Sequence, residues 1–279
     1  AVTGVQTCAL PISPAVCKNC KTASCYKGTP EVPGCPMFEF PKTMDSSAEC
    51  NLCGNCVKNC PNDSIRISPR VPTKELWNIR KPRIEVAFLA IVIMGIVFVQ
   101  NITMLTVWEK ILNSLENILG TTSYYITFTV TFIIAMLIPV VLLLLTGLIA
   151  KKFNKVSIKE NFAKYGYAII PLDLAGHIAH NLFHLLAEGK SVFYTAMGLF
   201  GVEYHGASTA IFSSPTIQML QYIIIVIGTV GSIYTAYRLA KSSQNNKNVL
   251  GTSVVYAVLM ILLAVANILL FSLPMAMRM

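Results

Sequence analysis

The stretch CNLCGNCVKNCP, residues 50–61, sets four cysteines in a C-x2-C-x2-C-x3-C-P run. Two-residue loops let three thiolates converge on one metal core, and a fourth cysteine followed by proline turns away toward a second. That spacing fits a cubane [4Fe–4S] cluster. Zinc is the competing metal, but it usually takes two cysteine pairs separated by a longer loop. Disulfides are disfavoured because the charge pattern described below puts the segment in a reducing compartment.

Upstream, CKNCKTASCYKGTPEVPGCP, residues 17–36, is a looser C-x2-C-x4-C-x9-C-P. Beside the tight motif it supplies the second half of a two-cluster unit. By the crossover rule, Cys17, Cys20 and Cys25 share one cluster with Cys60. Cys50, Cys53 and Cys56 then share the other with Cys35. Two [4Fe–4S] clusters are therefore the expected cofactors. Residues 14–72 are expected to form a small, loop-rich α+β domain of the bacterial two-cluster ferredoxin type, in which metal replaces a large apolar core. The stretch IRI, residues 65–67, is its one strand-like segment, and no internal repeat is visible.

Residues 1–13 are set aside. VTGVQTCALPI, residues 2–12, reads as the translation of a widely used sequencing adapter, and no initiator Met precedes it. The expectation is a library artefact joined to a truncated gene. Cys8 then drops out, leaving eight cysteines for two sets of four.

The rest of the chain differs in kind. Of 279 residues 54% are hydrophobic and 13% charged, too little charge for an ordinary soluble domain of this size. A basic linker, residues 73–83, leads into five apolar segments: 84–107, 124–150, 165–187, 217–239 and 249–273. Each is long enough, at ~1.5 Å rise per residue, to cross a ~30 Å hydrocarbon core. The fold class predicted is a membrane protein, with the ferredoxin-like domain followed by an all-α bundle of about five transmembrane helices over residues 84–274. Membrane lipid is its first partner.

The net charge of +9 does not imply nucleic acid, because the basic residues gather at the ends of the apolar runs. Lys74, Arg80, Lys81 and Arg83 precede the first run. Lys151, Lys152, Lys155, Lys159 and Lys164 separate the second from the third, and Arg238, Lys241 and Lys247 the fourth from the fifth. The other connections hold only Lys110 and Lys190. The positive-inside rule thus predicts a multi-pass protein of the cytoplasmic (inner) membrane, its cysteine segment cytoplasmic and its C-terminus outside.

The third segment carries PLDLAGHIAHNLFHLLAEGK, residues 171–190. His177, His180 and His184 fall on one helix face, bracketed by Asp173 and Glu188. Ionisable groups within a span are costly and therefore functional candidates. Three readings stand side by side: ligation of a haem b, a quinone or proton-exchange site, or neutral histidines that only hydrogen-bond within the bundle. A haem would need its opposite ligand from elsewhere, such as His205 in the loop GVEYHGAS, a Met, or another chain. The C-terminal PMAMRM offers thioethers to Cu(I), though Met is also common at an apolar terminus.

The paired Cys-Pro motifs, the IRISPRVP segment after them and the attached helices resemble the membrane-bound polyferredoxins. These include the quinol-dehydrogenase component of periplasmic nitrate reductase, the regulator of nitrous-oxide reduction and the cytochrome-oxidase assembly ferredoxin. The first motif is looser than the form usual in that family. The resemblance implies an electron-transfer component of an oxidoreductase, exchanging electrons between the quinone pool, or a membrane haem, and a partner redox protein or reductase subunit. Two other functions fit the same motifs: a redox-active assembly or regulatory factor for a metalloenzyme, and a transporter-like bundle with a ferredoxin regulator.

Overall fold

The computed structural model describes residues 6–7, 10–11, 14–44, 49–65, 73–77, 79, 81–202, 208–243 and 248–274. The chain divides into two compact units, Ala1–Lys81 and Pro82–Met279.

In the first unit, strands β1 (Gln6–Thr7) and β2 (Leu10–Pro11) pair antiparallel. Four short helices follow: α1 (Pro14–Asn19), α2 (Ser24–Lys27), α3 (Asn55–Lys58) and α4 (Lys74–Trp77). The last lies within the segment expected to be a linker. Residues 66 and 67 of the IRI stretch lie outside the described residues. Between residues 14 and 65, the described residues hold no strand, but Gly28 bridges Pro33 and Ile65 takes part in a further bridge.

A local repeat appears here. α2 and α3 pack together, and each follows a residue in the left-handed region, Ala23 (φ 53°) and Gly54 (φ 78°). Each then closes one turn through the same bonds. Lys27 and Gly28 donate to the carbonyls of Ala23 and Ser24, and Lys58 and Asn59 donate to those of Gly54 and Asn55. The Cys-Pro turns match as well. Phe38 N–H donates to the Cys35 carbonyl and Asp63 N–H to that of Cys60, with both donors at positive φ. The matched positions keep Cys25 with Cys56, Lys27 with Lys58 and the Cys-Pro pairs, while the other side chains differ.

The second unit is helical: α5 (Ile84–Ile102), α6 (Val107–Leu119), α7 (Tyr124–Asn154), α8 (Ile158–Tyr165), α9 (Ile170–Gly198), α10 (Ser214–Ser242) and α11 (Val249–Ser272). Four of these, α5, α7, α10 and α11, are long and apolar enough to cross a membrane. The chain is a membrane-embedded helical protein. Four of the five expected spans meet that measure, and the third, α9, does not. α9 is long enough, at 29 residues, but Asp173, Glu188 and the three histidines make it too polar.

α6 and α8 are additions to the expected pattern. α8 opens with a capping box: the Ser157 hydroxyl accepts from Glu160 N–H and the Glu160 carboxylate accepts from Ser157 N–H.

The long helices pack in a closed ring, α5–α9–α10–α11–α7 and back to α5. Small residues set the spacing, as membrane packing requires. A Cβ on Gly228 of α10 would run into the Cβ of Ala175 and come within 2.8 Å of the Pro171 carbonyl of α9. One on Gly95 of α5 would stand 2.7 Å from the Met136 backbone of α7. α9 turns Leu174, Ile178, Leu185 and Val192 outward, while Asp173 and His180 are buried among Leu172, Ala175, Gly176 and Ala179.

Candidate cluster sites and the histidine face

The thiols fall into two groups. Cys17, Cys20, Cys25 and Cys60 line one small hollow, together with Ser24, Lys42, Asn62 and Ser64. Cys35, Cys50, Cys53 and Cys56 line a second, with Met37, Glu39 and Asn51. Each hollow thus draws three cysteines from one motif and a fourth from the other. The chain geometry behind this is the matched pair of turns. In each half a left-handed residue and a one-turn helix present a cysteine inward, and the Cys-Pro turn beyond carries the last cysteine to the other half.

One small core serves both hollows. Met44 and Ile65 are buried, and Cys25, Cys50, Cys56, Cys60 and Val57 pack against them. Two asparagines that the sequence reading passed over fix the loop carrying Cys35. Asn59, 5% exposed, donates to the carbonyls of Val32 and Pro33 at 3.3 and 3.0 Å and accepts from the Thr29 hydroxyl at 3.0 Å. One turn earlier, Asn55 donates to the Gly34 carbonyl at 3.2 Å. Both stand inside the motif itself, at i and i+4 of GNCVKN, a spacing that would have marked them as one helix face.

The sulfurs carry hydrogen bonds of the kind that tune metal thiolates. Ser64 N–H donates to Cys60 Sγ at 3.4 Å and Leu52 N–H to Cys50 Sγ at 3.4 Å. The Ser64 hydroxyl lies 3.3 Å from Cys60 Sγ and 3.6 Å from Cys17 Sγ. Burial pushes the Cys25 thiol up to about 11, and thiolate character at Cys60, Cys17 and Cys20 adds to it. Burial, then Cys50 and Cys53, raises Cys56 likewise. At Cys60 burial is outweighed by hydrogen bonds from Ser64 and nearby backbone, and its thiol falls below the ordinary value. Four such groups ionise together only beside compensating positive charge. As placed, no three His, Cys, Asp or Glu side chains among the described residues form a group able to hold a metal ion.

In the bundle, His180 is buried and its Nδ1 lies 2.7 Å from Asn101 Oδ1 of α5. Its ring meets that of His184 edge-on with centroids 5.1 Å apart. His184 Nδ1 is 3.3 Å from Glu188 Oε2, and His177 Nε2 is 3.9 Å from Asp173 Oδ1. His205 and the PMAMRM methionines lie outside the described residues. A groove absent from the sequence reading runs between α5, α7 and α8. It has a volume of about 750 Å³ and is lined by Phe88, Val140, Leu144, Ile158 and Phe162, with Glu85 and Lys159 beside them.

No family model matches this chain, and no curated protein or solved structure matches it either.

Proposed function

We propose that the protein is a membrane-anchored iron–sulfur electron-transfer subunit of the polyferredoxin kind, working between the quinone pool and a partner redox protein. The observation that carries this reading is the pair of hollows, each ringed by four cysteines with the fourth supplied by the opposite motif. Bacterial two-cluster ferredoxins make that exchange, the fourth thiolate of each motif serving the other motif's cluster. The tight C-x2-C-x2-C-x3-C-P spacing favours iron–sulfur over zinc for these sites. Cys17, Cys20, Cys25 and Cys60 would hold one [4Fe–4S] cluster, and Cys35, Cys50, Cys53 and Cys56 the other. When bound, such clusters supply one-electron steps.

The chain's own residues support the membrane side of the reading. The groove between α5, α7 and α8 has the size and apolar lining of sites for small molecules, with one acidic and one basic side chain at its edge. It suits a quinone better than the histidine face does. The edge-on His180–His184 pair on one helix is not the opposed pair that a bis-histidine haem b requires. With α9 taken as a fifth span, the lysine pattern places the cysteine unit in the cytoplasm and the C-terminus outside the inner membrane.

Purified under anaerobic conditions, the full chain should contain about eight irons with matching acid-labile sulfide, following two four-thiolate sites. Cys60→Ser should damage the cluster shared with Cys17, Cys20 and Cys25 and spare the other. Stoichiometric zinc without sulfide would overturn the assignment.

A further inference from the structure

We propose that α9 carries a proton path through the helical bundle, from Asp173 by way of His177, His180 and His184 to Glu188. This rests on the reading of α9 as a fifth span. Asp173 and Glu188 are separated by about 22 Å of helix at ~1.5 Å per residue, most of a ~30 Å hydrocarbon core.

The contacts join the groups in two runs, Asp173 with His177 and His180 with His184 and Glu188, and the step from His177 to His180 falls to water in the proposed path. Asp173 and His177 stand 3.9 Å apart, the His180 and His184 rings 5.1 Å, and His184 and Glu188 3.3 Å. Imidazole suits the task, because it accepts a proton at one nitrogen while releasing another from the second. A proton taken from water at one end is matched by one given to water at the other, and no group is consumed.

The second, independent observation is a run of buried polar atoms without partners. Asp173 Oδ1, His177 Nε2, Asn101 Nδ2 and Asn267 Oδ1 are enclosed and make no hydrogen bond. They belong to one seam. Asn101 bonds His180, and Asn267 Oδ1 lies 3.6 Å from the place a Cβ on Gly176 would take, between Asp173 and His177 along α9. Buried polar atoms are nearly always satisfied, so orphans gathered along one seam imply a small ligand that both donates and accepts. Water is that ligand, and bridging water would close the gaps between Asp173 and His177 and between His177 and His180.

The helices packed on α9 bring amides to this seam rather than charges: Asn101 from α5, Gln221 from α10 and Asn267 from α11. Among the described residues, the titratable groups that the contacts place on this seam are those of α9 itself. A seam built only for packing would be satisfied by its own amides, as Gln221 is by the Ala179 carbonyl at 3.0 Å.

The test uses the full chain in liposomes that enclose a pH-sensitive dye. A pH step is imposed while valinomycin and potassium hold the voltage at zero. The internal pH should relax faster than in protein-free vesicles. Asp173→Asn and His177→Gln should each return it to the protein-free rate, and Asp173→Glu should keep the wild-type rate. Asn267→Leu, which removes an orphaned oxygen at similar volume, should slow it without touching a titratable group. Iron content and elution volume establish that each variant is folded. Wild-type relaxation no faster than that of protein-free vesicles overturns the proposal. So does relaxation that all three disabling variants leave intact. The dye reports flux whether or not iron is present, so the cluster reading stands or falls separately on its iron and sulfide count.

Discussion

At the scale of single residues, the cysteines and the asparagines between them divide the work. The cysteine spacing was readable directly, because thiolate count and loop length are properties of sequence. Asn59 was not, because its role depends on a loop twenty-six residues upstream folding back onto α3. Its side chain satisfies two carbonyls and one hydroxyl in a nearly closed position. Asn59→Ala strips all three of their partner. These partners are exposed or half-buried, so water can replace the lost bonds and the loss is about 1 kcal/mol or less each. The loop it releases carries Cys35, so the cluster that includes Cys35 should be the first to go. The expected result is preferential loss of about half the iron on mild warming, with the visible signal of the Cys60 cluster retained. Equal and simultaneous loss from both sites would show that Asn59 supports the unit as a whole and has no special hold on Cys35.

At the scale of elements, apolar length was readable and helix partnership was not. The ends of α7, α10 and α11 fall within four residues of the expected segments, since an apolar run ends where lysine or a helix-breaking turn begins. α6 went unseen because its amphipathic pattern, with Trp108 and Leu112 buried, looks like a polar connection beside the long apolar runs. α9 is the instructive element. Its composition argues against a span, yet it fills one place in the ring between α5 and α10 and shows leucine, isoleucine and valine to the outside. Burying Asp173 and His180 beside the amides of Asn101 and Asn267 lowers the penalty that a composition scale assigns to those two groups. Two reporter fusions decide the matter, one after Lys155 and one after Ser213. With α9 crossing, they should report opposite sides of the membrane, the first cytoplasmic because five lysines flank it. Matching signals would confine α9 to one side and remove the proton path with it.

At the scale of the whole molecule, the two units are held together by different physics. The helical unit buries a continuous apolar core through α5, α7, α9, α10 and α11. The cysteine unit has Met44, Ile65 and Trp77 as its buried apolar side chains among the described residues, and the partners packed around the first two are mostly cysteines. Such a segment is too small to hold itself together by apolar burial, so its folding energy must come from whatever the thiolates bind. Removing that ligand should therefore unfold one unit and leave the other. Limited proteolysis of the membrane-embedded protein is expected to spare residues 14–65 while iron is present. After oxidative loss of iron the same treatment should cut freely within that stretch, while a resistant fragment beginning close to Pro82 persists. A cysteine unit that resists protease equally well with and without iron would mean that the thiols are not what folds it. Simultaneous cleavage of the helical fragment would mean that the boundary at Lys81 does not separate two independent stabilities.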